Sequence, residues 1–121
     1  MDSSGWIEYL ADRPRADRFA VYIEGREALL VCAIEIYEVY KVLRRDFSEE
    51  RAIEAVAALR RAMVAPVDEA LALEAVDVSL AYGLAMADSL VYATAQRHRA
   101  TLVTGDVDFE KLPNTVVIRS A

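Results

Sequence analysis

The sequence predicts an α/β domain in three layers, with a short parallel sheet between two layers of helices. Three observations carry that expectation. At 121 residues the chain has the length of one domain, residues 1–121, around a single core and is too short for two. Its hydrophobic periodicity switches repeatedly between helical and extended spacing, and the extended runs are brief. Strands that alternate with helices are joined by right-handed crossovers, so the sheet is parallel and buried on both faces.

The elements follow in order. SGWIEYLAD (4–12) reads as a first helix stopped near Arg13, Pro14 and Arg15, and ADRFAVYIE (16–24) as a second ended by Gly25. ALLVCA (28–33) is rich enough in β-formers for a strand. From Ile34 to Phe47, the side chains Ile36, Val39, Tyr40, Leu43 and Phe47 share one helical face. Ser48 is a good N-cap, with Glu49 and Glu50 in the first turn of a helix through EERAIEAVAALRRAM. VAPV (64–67) is a short strand, and Asp68 caps EALALEAVDVSLAY, which Gly83 closes. AMADSLVYATAQRHR (85–99) is a further helix whose core face runs through Met86, Leu90, Ala93 and Thr94. TLVT is a strand, DFEKL a turn of helix and NTVVIR a last strand.

Composition narrows the function classes. Charged residues supply 28% of the chain and the net charge is −6, against the basic surplus of domains that hold nucleic acid by bulk electrostatics. A carboxylate cluster that binds a cation makes a sequence look more acidic than its working surface is, so a phosphate-processing enzyme stays open. No apolar run approaches the roughly 20 residues that cross a bilayer. Cys32 is the only cysteine, which rules out an intrachain disulfide and points to a cytoplasmic setting.

The stretch LVTGDVDF, 102–109, places Asp106 and Asp108 directly after a strand ending in Thr104. In a parallel sheet that is where ligands bind. Each acid also has an ordinary reading. Asp106 and Asp108 suit a turn beside Gly105, and Asp88 suits the positive end of its helix. Glu38 suits a solvent-facing pair with Lys41, and Asp2 a frayed terminus.

Taken together, DSSGWIEYL, YEVYK, ADSLVYATA and LVTGDVDF, in this order, resemble the PIN-domain ribonucleases, specifically the VapC-type toxins of toxin–antitoxin pairs. The resemblance covers essentially the whole chain, and its most specific portion is the Asp-bearing helix followed by a strand and a T-x-D-x-D-F turn. It implies a PIN-like fold with an acidic catalytic site on Asp2, Glu38, Asp88 and Asp106, of which Asp2, Asp88 and Asp106 would hold metal. Asp108 would be an accessory acid, and Thr104 and Ser4 match small hydroxyl positions nearby. It further implies RNA as substrate, 5′-phosphate and 3′-hydroxyl products, a homodimer, and inhibition by a cognate VapB-type antitoxin. The chain departs from the pattern at its start, where an apolar strand should precede the first aspartate and only Met1 does. The first strand of the sheet is therefore expected to be missing or truncated, with the residues that complete the fold lying upstream of the recorded start.

Two carboxylates about 5 Å apart repel by about 3 kcal/mol at an effective dielectric of 20. Such a group picks up protons unless a cation holds it together. Oxygen-only ligands suit Mg²⁺ or Mn²⁺, which can activate a water for attack on a phosphodiester. His98, between Arg97 and Arg99 at a helix end, suits dipole or surface service, and Cys32 lies in an apolar strand. Gly-rich phosphate loops are absent. Trp6, Tyr9, Tyr37 and Tyr40 serve either as core or as the wall of an apolar partner groove; the resemblance assigns that region to the antitoxin.

The reading is a Mg²⁺- or Mn²⁺-dependent endoribonuclease toxin. The alternative is a catalytically weak or inactive PIN fold kept as a protein-binding module. A metal-dependent phosphohydrolase of another kind ranks third, because no nucleophilic Asp with a paired Lys is evident.

Overall fold

The alternation of strands and helices is realised in a computed structural model that describes residues 1–120. Helices α1 (Ser3–Leu10) and α2 (Ala16–Ile23) come first, followed by β1 (Leu30–Cys32), α3 (Ala33–Asp46), α4 (Glu49–Leu59) and β2 (Met63–Ala65). The second half runs α5 (Glu69–Tyr82), α6 (Met86–Arg97), β3 (Leu102–Thr104), a 3₁₀ turn (Val107–Phe109) and β4 (Thr115–Val117). The predicted stops act as expected. Ser48 Oγ accepts the Arg51 N–H, Asp68 Oδ1 accepts the Leu71 N–H, and Gly83 closes α5 in the left-handed region at φ 69°, where a side chain would be strained.

The strands form two parallel pairs. β1 lies beside β2 with Leu30 opposite Met63, and β3 beside β4 with Leu102 opposite Thr115. Met1 and Asp2 join the pairs. The amino terminus of Met1 donates to the Leu30 carbonyl at 3.3 Å, and the Asp2 N–H donates to the Val103 carbonyl at 2.8 Å. The spatial order is thus β2, β1, residues 1–2, β3, β4. Within the described residues the central line of the sheet is formed by Met1 and Asp2.

Alternate strand residues turn to opposite faces and so divide the core. Val31 and Val103 pack with Trp6, Phe19, Val39, Leu43 and Leu59 of α1 to α4. Cys32 and Leu102 pack with Leu71, Val78, Leu90, Val91 and Phe109 on the side of α5 and α6. Helices therefore cover both faces of the paired strands.

Two expectations need correction. Met86 is 76% exposed, because the first turn of α6 projects past the core, while Ser89 to Ala95 are buried all round. Trp6 is only 2% exposed and is core rather than groove wall. Gly5 beside it lets α1 approach α2 closely, since a Cβ at Gly5 would lie 2.7 Å from Phe19 Cδ1.

Candidate metal centre

The carboxyl ends of β1 and β3 and the start of α6 point to the same end of the molecule. Thr104, wholly buried at the end of β3, organises the turn that follows. Its Oγ1 accepts the Asp106 N–H at 3.0 Å and donates to Asp2 Oδ2 at 2.8 Å. Ser4 does the same from α1, accepting the Gly105 N–H at 2.9 Å and donating to Asp2 Oδ2 at 2.9 Å. Asp106 Oδ1 in turn accepts the Asp108 N–H at 2.9 Å and starts the 3₁₀ turn. Asp2 is 4% exposed, so it is a fixed member of this network and not a frayed terminus.

Asp88 lies in the first turn of α6. Carboxylate oxygens of Asp88, Asp106 and Asp108 come within 4.8 Å of one another. Burial pushes the Asp88 carboxyl up to about 6, with further increments from the charges of Asp2, Asp106, Glu38 and Asp108. Burial also raises Glu38, with Asp2 adding to the rise and the Ser3 hydroxyl opposing it. Glu38 is thus half-buried toward the acids and is not a surface partner of Lys41. Asp108, expected only as support, stands in the converging group although its side chain is exposed, while Asp2 and Glu38 lie outside that group and act on Asp88 through their charges.

This donor set fits a hard divalent cation. Every converging atom is a carboxylate oxygen, as Mg²⁺ and Mn²⁺ prefer, and the burial and neighbouring acids that raise Asp88 both oppose a bare negative charge that a cation would offset.

Three contributors escaped the sequence reading. Glu35 is 1% exposed; its Oε2 accepts the Cys32 N–H at 2.8 Å, and its Oε1 has no partner. Burial holds its carboxyl well above the usual range, the amino terminus pulls it back, and Asp2 raises it further. Its spacing of three from the residue before α3 is the capping-box signal, with Cys in place of Ser or Thr. Arg15 Nη1 donates to the Gly105 carbonyl at 2.9 Å and the Ile118 carbonyl at 2.8 Å, and Nη2 donates to Glu8 at 3.0 Å. No local pattern announces contacts across such separations. Ser3 is the third, through Glu38.

A second feature lies on α3 and α4. Ala33, Ile36, Tyr37 and Tyr40 face Ile53, Val56 and Arg60 across an apolar groove of about 660 Å³, and Tyr37 is 62% exposed. Tyr9 is outside it, its hydroxyl donating to Glu24 at 2.6 Å. Cys32 is buried and its thiol is pushed up by that burial. His98 caps the end of α6, with Nδ1 3.0 Å from the Thr94 carbonyl oxygen.

The PIN-domain family model matches residues 1–114. No curated protein matches the chain by sequence. Three solved structures share the fold. A toxin–antitoxin complex from Klebsiella pneumoniae superposes with a TM-score of 0.79 at 24% identity, covering 96% of this chain and 93% of that one. VapC20 of Mycobacterium tuberculosis, a toxin that cleaves the sarcin–ricin loop, has a TM-score of 0.75 at 18% identity, with coverage of 93% and 92%. VapBC2 of Rickettsia felis, bound to a DNA fragment from its promoter, has a TM-score of 0.69 at 13% identity, with coverage of 97% and 94%.

Proposed function

The chain belongs to the PIN-domain family of nucleases, and from that premise we propose that it is a metal-dependent endoribonuclease toxin restrained by a cognate antitoxin. The observation that carries the proposal is the convergence of Asp88, Asp106 and Asp108 beside an Asp2 locked by two hydroxyls. Asp88, Asp106 and Asp108, backed by Asp2 and Glu38, would hold Mg²⁺ or Mn²⁺. When bound, such an ion lowers the pKa of a water and offsets charge on a phosphodiester.

The chain's own residues supply position. Ser4 and Thr104 fix the Asp2 carboxylate and, through the Gly105 and Asp106 N–H groups, the turn that presents Asp106 and Asp108. Arg15 ties the Gly105 carbonyl to the last segment of the chain. Asp88, raised to about 6 by its burial and the neighbouring acids, is mostly ionised at neutral pH. Hydrolysis by water, without a covalent intermediate, needs no nucleophilic side chain and matches this set. The apolar groove between α3 and α4 suits a helix of the antitoxin, with Tyr37 and Tyr40 as anchors. The toxin structures that share the fold support RNA and an antitoxin as partners. A homodimer and a cytoplasmic location belong to the same reading.

The test is to incubate partner-free protein with total RNA, with and without Mg²⁺ or Mn²⁺, beside an Asp88→Asn, Asp106→Asn double variant. A discrete, metal-dependent cut that the variant loses is expected. Cleavage that ignores both metal and variant overturns the assignment. Absence of cleavage by a folded protein selects the binding-module alternative.

A further inference from the structure

Two consecutive peptide units lead from β3 to Asp106, and all four of their polar groups are engaged. In the first unit, the Thr104 carbonyl accepts the Ile118 N–H at 2.8 Å and the Gly105 N–H donates to Ser4 Oγ at 2.9 Å. In the second, the Asp106 N–H donates to Thr104 Oγ1 at 3.0 Å and the Gly105 carbonyl accepts from Arg15 Nη1 at 2.9 Å. Only Arg15 among these partners is charged, and charge-assisted bonds are the strong ones.

Arg15 is itself held at both ends. The same Nη1 reaches the Ile118 carbonyl at 2.8 Å, Nη2 pairs with Glu8 Oε1 at 3.0 Å, and Glu8 Oε2 accepts the Arg15 N–H at 3.1 Å. The Arg15 and Glu8 side chains are only 15% and 12% exposed, so water does little to loosen them. Ser4 and Glu8 stand four residues apart on one face of α1. That face therefore serves the turn twice, directly through Ser4 and indirectly through Arg15. The guanidinium also lies so near Gly105 that a Cβ there would come within 2.6 Å of Nη1. Gly105 is not in the left-handed region, so its missing side chain answers to Arg15 and not to the backbone.

We propose that Arg15 is a positioning residue of the acidic site, which fixes the peptide that aims Asp106 and Asp108 and thereby sets the affinity for the divalent ion. The inference rests on the metal-binding reading above and extends it to a residue outside the acids. A peptide unit is rigid, so the Gly105 carbonyl and the Asp106 N–H turn together. Without Arg15 the carbonyl is free to swing toward water, and the Asp106 N–H leaves Thr104 Oγ1 as it does. Asp108 follows, because its N–H is bonded to Asp106 Oδ1. Lysine cannot replace Arg15 here, since a single ammonium nitrogen does not reproduce the planar fork that spans Glu8 and two carbonyls.

The experiment measures Mn²⁺ affinity by calorimetric titration, and hydrogen exchange of the Asp106 amide relative to the helical amides of α5, in the full chain. It compares wild type with Arg15→Met plus Glu8→Gln, with Gly105→Ala, and with all three substitutions together. Glu8→Gln accompanies the loss of Arg15 so that no buried charge is left unpaired. The Arg15 variant and Gly105→Ala should each bind Mn²⁺ about 10–100-fold more weakly and lose protection at Asp106. Adding Gly105→Ala to the Arg15 variant should change neither quantity further, because the new Cβ then meets no guanidinium. The proposal is overturned if the Arg15 variant binds Mn²⁺ as wild type does while its thermal midpoint falls, which is a purely structural role, or if Gly105→Ala acts undiminished without Arg15. Should the Arg15 variant not fold, Gly105→Ala decides alone, and unchanged affinity and protection there overturn the proposal. A wild type that binds no Mn²⁺ defeats the metal reading instead; the positioning role then stands or falls on whether Asp106 loses protection without Arg15.

Discussion

Asp88 carries the electrostatic conflict of the acidic site. Its folded pKa of about 6 stands above the ordinary 3.8, so between those values the native state binds its proton more tightly than the unfolded chain does. Stability of the metal-free protein contributed by this group is highest below the lower value, falls as pH rises through the window, and is level above about pH 6. Urea unfolding at pH 4, 5, 6 and 7 should show this decline in wild type, a shallower one in Asp88→Asn, and none with saturating Mn²⁺. Equal slopes in wild type and variant would mean that the Asp88 carboxyl is not raised by its burial and its neighbours. At this scale the sequence was informative where chemistry is local. Asp106 and Asp108 stand out because a turn needs only one acid. Asp88, Glu38 and Asp2 look ordinary one by one, since each suits a cap, a pair or an end. Arg15 was not legible at all, because its carbonyl partners lie 90 and 103 residues away.

Helices were legible where an amphipathic stripe and a cap coincide, as over α3 and at Ser48, Asp68 and Gly83. Strands were legible as runs of β-formers, although only three residues of each are paired. Buried faces were less so. α6 is buried around most of its circumference, and a helix apolar on all sides gives no stripe to orient it. α1 has only eight residues, too few for periodicity to say whether Trp6 or its neighbours face inward. Their burial separates two otherwise similar aromatics. Trp6→Ala should cost about 3–5 kcal/mol of stability through the cavity it leaves, seen as a large loss in thermal midpoint. Tyr37→Ala should stay within about 0.5 kcal/mol of wild type while weakening antitoxin binding in a titration of the purified pair. A Trp6→Ala protein that melts like wild type would contradict the core assignment, and unchanged affinity in Tyr37→Ala would move the partner elsewhere.

Across the whole molecule, strand order was the least legible property. Nothing in the sequence says that β1 pairs with β2 and β3 with β4, or that residues 1–2 alone bridge them. Alternation predicts parallel pairing but not which strands are neighbours. The acids converge only because that order brings the ends of β1 and β3 together. A divalent ion that binds the native state alone then stabilises the entire fold, by about 2.7 kcal/mol at a hundredfold excess over its Kd. Calorimetry with increasing Mn²⁺ should show a rising midpoint for wild type and a smaller rise for Asp106→Asn, whose metal-free form should melt no lower because one repelling charge is gone. Identical responses would mean that the acids bind no ion jointly.

The hydroxyl bridge from Thr104 to Asp2 spans 102 residues, and that separation governs when the site can come into being. A ribosome working at about 5–20 residues per second makes Asp2 roughly a hundred residues before it makes Asp106 and Asp108. Until Gly105 to Asp108 emerge, Asp2 has neither its hydroxyl partner nor its fellow acids. Closing so long a loop is also among the slower steps of folding. On the proposed function, the acidic site is therefore incomplete while the first hundred residues are being made, and the chain acquires it only once Asp106 and Asp108 have emerged.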